Sequence, residues 1–374
     1  MDKIFPFDSV VIGGGVIGLA IACELQLIGQ KVLLVEKNKF LSEETSSRNS
    51  GVIHSGIYYP KDSLKKIFCI RGNHLLYRFC KKNEVPHVNT GKLIVAKKEE
   101  EKELISIFNN GLVNGLSGEI ELIDENKIRK LEPNISKDIS LAINVKSSGI
   151  VDQPSFCSTL QSLFEKNGGQ IILNTTFYNY KSVNSFHISS LDTLNEKFKV
   201  KSKNLIICSG LHSYELGLKI NEIKSCNRFS RLKYVKGHYF KLSNKKPPFK
   251  KLIYPIPNKL GLGIHYTLDM NGFGKFGPDT EVVDEIEYTF KEKNLKEKFL
   301  KRIQQYWSEI RLDNLNEDYA GIRPKLDIKK EFVDFSILDS DDHGLKNLLF
   351  LQGIDSPGLT SSLAISEYVS QKLI

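Results

Sequence analysis

Three groups of residues in this chain have the types and spacing for chemistry. Gly13, Gly15 and Gly18 form G-x-G-x-x-G, and Glu36 follows about twenty positions on. In such a pattern the first glycine permits a tight turn and the second lets backbone approach a pyrophosphate. The third lets a helix lie close on its strand. The helix N-terminus presents N–H groups and a positive dipole end to phosphate, and the acid can accept hydrogen bonds from a ribose diol. The second group is the run from Thr45 to Tyr59, in which Thr45, Ser46, Ser47, Arg48, Asn49, Ser50 and Gly51 lead into His54. Hydroxyls, glycines and one arginine suit a loop packed against a charged ligand. An imidazole there is a general-base candidate because its ordinary pKa lies near working pH. The plainer alternative is a histidine that only hydrogen-bonds backbone. The third group is Asp318-Tyr-Ala-Gly-Ile-Arg-Pro-Lys325, where Arg323 can hold a carboxylate through two parallel hydrogen bonds. The alternative is an ion pair with Asp318 or Asp327. A further turn, Gly353 to Thr360, leads into a helix start and offers another anion site, or simply a Pro/Gly start capped by Thr360.

The elements that must position these groups read as follows. Val10–Ile12 and Val32–Val35 predict buried strands around the glycine turn and its helix. Residues 92–96 read as a strand, 99–109 as an amphipathic helix, and 125–131 as a helix stopped by Pro133. Residues 155–167 predict a helix with Gly168-Gly169 at its C-terminal stop, and strands follow at 171–173, 186–189 and 205–210. From 235 to 276 the pattern turns strand-like, with 237–242, 252–254, 263–266 and 274–276 fitting a meandering antiparallel sheet. A helix over 295–307, a buried strand at 348–351 and a closing helix from about 360 complete the chain.

The chain has 374 residues, which favours two domains, and its segments cross between them several times. No stretch is apolar for long enough to span a membrane, and the apolar start near Val10 reads as a buried strand rather than a signal peptide. The six cysteines (Cys23, Cys69, Cys80, Cys157, Cys208, Cys226) are scattered without a C-x-x-C pair. That pattern suits reduced core residues of a cytosolic protein, with neither a disulfide framework nor a metal site. The formal net charge is +9, carried mostly by lysine. No basic block is interleaved with aromatics, which argues against nucleic acid. A solvated basic surface, with peripheral contact to an anionic membrane left open, is the expectation.

The chain resembles the FAD-dependent D-amino-acid-oxidase-like (glycine oxidase-like) superfamily over essentially its whole length, and within it the L-2-hydroxyglutarate dehydrogenase/oxidase group. The residues that carry the resemblance are Val11–Gly18, Thr45–Tyr59, Gly91–Ala96, Gly261–His265, Phe276–Asp279, Ala320–Lys325 and Ser356–Ser361. The resemblance implies an α/β fold, with a Rossmann-like FAD-binding domain interleaved with an α+β substrate domain built on an antiparallel sheet. Boundaries are expected at 1–90, 150–225 and 330–374 for the first domain, and at 91–149 and 226–329 for the second. It implies non-covalent FAD, since no flavinylation motif is matched. Contacts to the cofactor are expected from Gly13, Gly15, Gly18, Glu36, Lys37, Thr45 to Gly51, Gly210, Gly353, Pro357, Gly358, Leu359 and Thr360. Arg323 is then the carboxylate clamp, His54 the base, and Tyr59, Tyr239 and His265 line the substrate. The implied reaction oxidises a small 2-hydroxy acid, with a quinone or oxygen as electron acceptor. Rival readings are an amino-acid or glycerol-3-phosphate oxidase of the same superfamily, and a flavin-binding protein without turnover. No residue in the sequence stands out as a clamp for a second carboxylate.

Overall fold

The structure, a computed structural model, describes residues 4–182, 185–190, 197–257 and 263–373. The chain divides into two compact units, each discontinuous in sequence. The first is Met1–Ser47, Gln153–Tyr234 and Arg323–Ile374; the second is Arg48–Asp152 and Val235–Ile322.

The first unit is built on an eight-stranded sheet. Ile4–Ile12 lies parallel to Val32–Val35 on one side and to Lys197–Ile207 on the other. Gln170–Ile172 and Leu348–Gln352 extend the parallel region outward. Val10, Val11 and Val32 to Val35 are all buried, as parallel strands covered on both faces require. Thr175–Ser182 and Ser185–Ser190 continue the sheet as antiparallel strands. The helix Val16–Leu27 packs against Gln153–Lys166 and Gly358–Leu373. Its apolar residues Leu19, Ile21 and Leu25 are completely buried.

The second unit holds a nine-stranded sheet and a small three-stranded one. In the larger sheet Gly274–Phe276 is antiparallel to Lys233–Leu242 and to Tyr266–Leu268, which is antiparallel to Leu252–Tyr254. Ile139–Val145 is antiparallel to both Lys92–Lys97 and Ile120–Asp124. The join between the two halves, Leu252–Tyr254 against Lys92–Lys97, is parallel, so the sheet is mixed rather than one antiparallel meander. Two apolar clusters fill the unit, one around Phe276, Phe299, Tyr306 and Trp307, the other around Ile57, Ile94, Leu104 and Ile143.

Residues 48–90, expected with the nucleotide-binding part, belong to this second unit. The reason is pairing and burial: Val52–Ile53 is antiparallel to Gly149–Val151, and Ile57 enters the second apolar cluster. The helix Leu64–Lys82, absent from the sequence reading, starts where the Ser63 hydroxyl accepts the Lys66 amide. Residues 263–265 precede rather than form a strand, which runs Tyr266–Leu268. Gly261 and Leu262 lie outside the described residues. The helix expected to reach residue 307 ends at Ile303, and a turn then buries Tyr306 and Trp307. Among the described residues no helix is long and apolar enough to cross a membrane.

Candidate active site

In the first unit the chain turns from Ile12 into Val16–Leu27 through three glycines with little room to spare. Gly13 has φ +107°, and a Cβ there would lie 2.5 Å from the Cys208 carbonyl oxygen. A Cβ on Gly18 would lie 1.9 Å from the Gly13 carbonyl oxygen, and one on Gly15 would sit 3.0 Å from Ser46 Oγ. Gly14, which the fingerprint leaves open, has Leu41 Cδ2 2.3 Å from where its Cβ would be. The Glu36 carboxylate accepts the Gly14 amide at 2.6 Å and the Asn38 amide at 2.8 Å. It is buried and clamps the glycine turn to the end of the second strand, with lone pairs still to spare. Ser46 Oγ accepts the Val16 amide at 2.9 Å. The helix N-terminus is thus framed by a serine and an acid while its later amides stay available.

The other predicted contacts of the first unit are spread along its segments. Lys37 Nζ lies 2.9 Å from Glu44 Oε1 and 2.8 Å from His212 Nε2. Ser47 donates from Oγ to the Glu43 and Glu44 carbonyls, closing a turn that contains Thr45. Gly210, at φ +50°, opens a short 3-10 turn with nothing close to the position of a Cβ. Gly353, at φ +66°, has Leu326 Cγ 2.6 Å from where its Cβ would be, so only glycine suits that turn. The helix after it begins at Gly358 rather than Thr360, the Gly358 amide donates to the Asp355 carbonyl at 2.6 Å, and Thr360 is fully buried. Pro357 accepts the Ser361 amide through its carbonyl, and Leu359 accepts from Ser362 Oγ. Arg323 is half-buried on Leu315–Lys325. Of the acids named against it, Asp318 lies 3.8 Å from Lys275 Nζ, and Asp327 accepts the Lys329 amide.

In the second unit Arg48, Asn49 and Gly51 are held by the unit's own strands. The Arg48 guanidinium lies 4.1 Å from the Tyr288 ring centroid, and Nη1 donates to the Ala320 carbonyl at 3.4 Å. A Cβ on Gly321 would sit 2.0 Å from the Arg48 carbonyl oxygen, which explains the glycine in Ala-Gly-Ile-Arg. Asn49 Oδ1 accepts the Gly51 amide, and its carbonyl accepts the Tyr319 hydroxyl at 2.7 Å. Tyr239 is buried and stacks on Tyr319, the ring centroids 4.5 Å apart. Tyr59 is half-buried, and its carbonyl accepts amides from Asn110 and Asn114. Ser50 is half-buried beside these residues.

His54 follows the strand Val52–Ile53 and is buried. Its backbone carbonyl accepts Asn73 Nδ2 at 2.9 Å and the Cys69 thiol at 3.5 Å, which fixes the segment against the helix Leu64–Lys82. Burial, then the nearby charge of Lys92, then His265 hold the imidazole well below the ordinary histidine range. It is therefore neutral at pH 7 and able to accept a proton. His265 Nδ1 lies 3.0 Å from the Gly263 carbonyl, which can only accept, so Nδ1 carries the proton. Its ring stacks on Tyr254 with centroids 3.9 Å apart. Sequence reading missed Lys92, Tyr58 and Tyr254. The lysine's Nζ lies 4.9 Å and 4.8 Å from the two tyrosine ring centroids. A lysine opening an otherwise apolar strand, Lys92-Leu-Ile-Val-Ala, was the available signal.

A glycine turn gripped by a buried acid at the C-terminal end of a central parallel strand defines a dinucleotide-binding protein, and a buried neutral imidazole in the second unit gives it an acid–base group. The chain belongs to the FAD dependent oxidoreductase family, whose pattern matches residues 8–372. It is 37% identical to the mitochondrial L-2-hydroxyglutarate dehydrogenase of Arabidopsis thaliana, covering 98% of this chain and 83% of that one. The human mitochondrial L-2-hydroxyglutarate dehydrogenase is 29% identical over 98% of this chain and 88% of its own. Among solved structures, FAD-bound L-alpha-glycerophosphate oxidase from Mycoplasma pneumoniae superposes with a TM-score of 0.86 at 25% identity, covering 99% of this chain and 95% of that one. Glycine oxidase from Geobacillus kaustophilus shares the fold, with a TM-score of 0.82 at 16% identity over 98% and 94% of the two chains. The cofactor is FAD, and the glycine turn, where a Cβ on Gly13 or Gly18 would collide with backbone, fits a diphosphate brought close to the chain.

Proposed function

We propose that the protein oxidises L-2-hydroxyglutarate to 2-oxoglutarate. The relatives of that name, aligned over nearly the whole chain, support the substrate. The buried neutral His54 carries the chemistry, because a secondary alcohol cannot become a ketone until its hydroxyl proton has somewhere to go. FAD, when bound, supplies the acceptor for the hydride that leaves C2. Gly13, Gly15, Gly18 and Glu36, with Lys37, Thr45 to Gly51, Gly210, Gly353 and Pro357 to Thr360, hold the cofactor in this reading. Arg323 fixes the C1 carboxylate, and the His54 imidazole takes the hydroxyl proton as the C2–H bond breaks. Tyr59, Tyr239 and His265 line the space for the carbon chain. Electrons pass on to a quinone or to oxygen. The setting is the cytoplasm, where the net charge of +9 suits contact with an anionic membrane face.

Mixing the yellow protein without air with L-2-hydroxyglutarate, glycine or glycerol 3-phosphate tests the substrate. Bleaching of the flavin band by the hydroxy acid alone is the expected result. Bleaching by glycine or glycerol 3-phosphate in its place overturns the assignment and moves the activity to the amine or phosphate branch of the family.

A further inference from the structure

Lys92 opens a central strand of the second unit, flanked by Leu252–Tyr254 and Ile139–Val145. It has no exposed surface, and its Nζ has no hydrogen-bond partner among the described residues. The Tyr58 and Tyr254 hydroxyls are likewise buried without partners among the described residues. An ammonium brings three donors and no acceptor, and two aromatic faces replace only part of the water it has lost. Buried polar groups left unsatisfied are costly, and several converging in one place mark a site that awaits a polar ligand. Among the described residues the neighbouring titratable groups offer no countercharge: His54 and His265 are imidazoles, and the Cys69 thiol is pushed up by burial and stays protonated.

We propose that Lys92, with the Tyr58 and Tyr254 hydroxyls, receives the second carboxylate of a dicarboxylic 2-hydroxy acid and so sets the substrate class. The inference rests on the hydroxy-acid reading above. A carboxylate has acceptors for all three groups, and charge-assisted bonds to an ammonium are the strong kind. Burial pushes Lys92 down to about 8, so it still carries its charge at pH 7. Seating an anion there has a second effect. His54 becomes a cation when it takes the hydroxyl proton, and the bare charge of Lys92 opposes that step. A carboxylate on Lys92 cancels the opposition, so a monoacid loses twice, in binding and in proton transfer.

The test compares second-order rates of flavin bleaching without air by L-2-hydroxyglutarate and L-2-hydroxybutyrate, using FAD-loaded wild type, Lys92→Met and Tyr254→Phe. Lys92→Met is expected to lower the diacid rate on the order of 100-fold and to leave the monoacid rate undiminished or raised, since the charge opposing proton transfer is gone, collapsing the preference. Tyr254→Phe should lower the diacid rate about fivefold to tenfold and spare the monoacid. Equal losses on both acids, or an unchanged preference with flavin content retained, overturn the proposal. Should Lys92→Met fail to fold, Tyr254→Phe decides alone, and an unaltered preference there is equally fatal. If wild type is bleached by neither acid, the hydroxy-acid reading itself falls and takes this inference with it. Bleaching of wild type by both acids at the same rate sinks the inference alone.

Discussion

His54 can accept a proton only while its imidazole is uncharged, and burial keeps it so, helped by Lys92 and His265. The free-enzyme rate kcat/KM should therefore rise with pH through a point below 6.5 and be level by neutrality. Lys92 must be charged to seat a carboxylate, so the diacid's kcat/KM should fall again above pH about 8, whereas a monoacid's should not. A pH profile with no acid limb below neutrality on His54→Ala, in a protein that keeps FAD but bleaches about 100-fold to 10,000-fold more slowly, is the expected companion result. Undiminished rates in that variant would remove His54 from the chemistry. The lysine also has a thermodynamic signature. The unfolded chain holds its proton up to about 10.5 and the folded chain only to about 8, so stability rises with pH between those values. Below pH 8 the whole cost applies, on the order of 3 kcal/mol, and Lys92→Met should melt above wild type at pH 7. A lysine buried without a countercharge behaves in this way, and one paired with a carboxylate does not.

In the first strand–turn–helix Gly13 and Gly18 face backbone that excludes a methyl group, while a methyl on Gly14 or Gly15 would crowd a side chain. Gly18 is the tightest, since a Cβ would collide with the Gly13 carbonyl 1.9 Å away. Gly18→Ala must push the helix Val16–Leu27 off its strand, tilting the N-terminal amides proposed to hold the diphosphate. The expected product is a nearly colourless protein destabilised by roughly 1–3 kcal/mol, read from flavin absorbance and a denaturant melt. A yellow protein of wild-type stability would show that the helix has room the structure denies it. This element was legible in the sequence because its signals are local: a valine strand, glycines at fixed offsets and an acid at the next strand's end. The helix Leu64–Lys82 was equally local and was passed over, although Ser63 caps it and Cys69, Asn73, Leu76 and Cys80 repeat along its buried face. The parallel pairing of Leu252–Tyr254 with Lys92–Lys97 was not legible, because strands about 160 residues apart carry no mark of their mutual direction. For the same reason Lys92 escaped notice: its meaning comes from Tyr58 and Tyr254, which reach it only through the fold.

Across the whole chain, the interleaving of two units was readable from the order of elements, and the point of crossing was not. Residues 48–90 follow the nucleotide turn directly, yet Val52–Ile53 pairs with Gly149–Val151, and which core a short buried strand joins is decided by pairing far along the chain. Charge is the property that belongs to the molecule as a whole. A formal +9 sets up an attractive field for anions that reaches about one Debye length, roughly 10 Å at 0.1 M salt. A dianion feels twice the pull of a monoanion in that field, and screening removes it in the same proportion. Raising sodium chloride from about 20 to 300 mM should therefore lower kcat/KM for L-2-hydroxyglutarate, with a slope against the square root of ionic strength about twice that for L-2-hydroxybutyrate. In Lys92→Met the local partner of the second carboxylate is gone but the field remains, so the ratio of slopes should persist while the absolute preference disappears. A salt response equal for the two acids would show that the surface lysines play no part in bringing the substrate in, and that any discrimination between the acids arises only after they reach the buried groups.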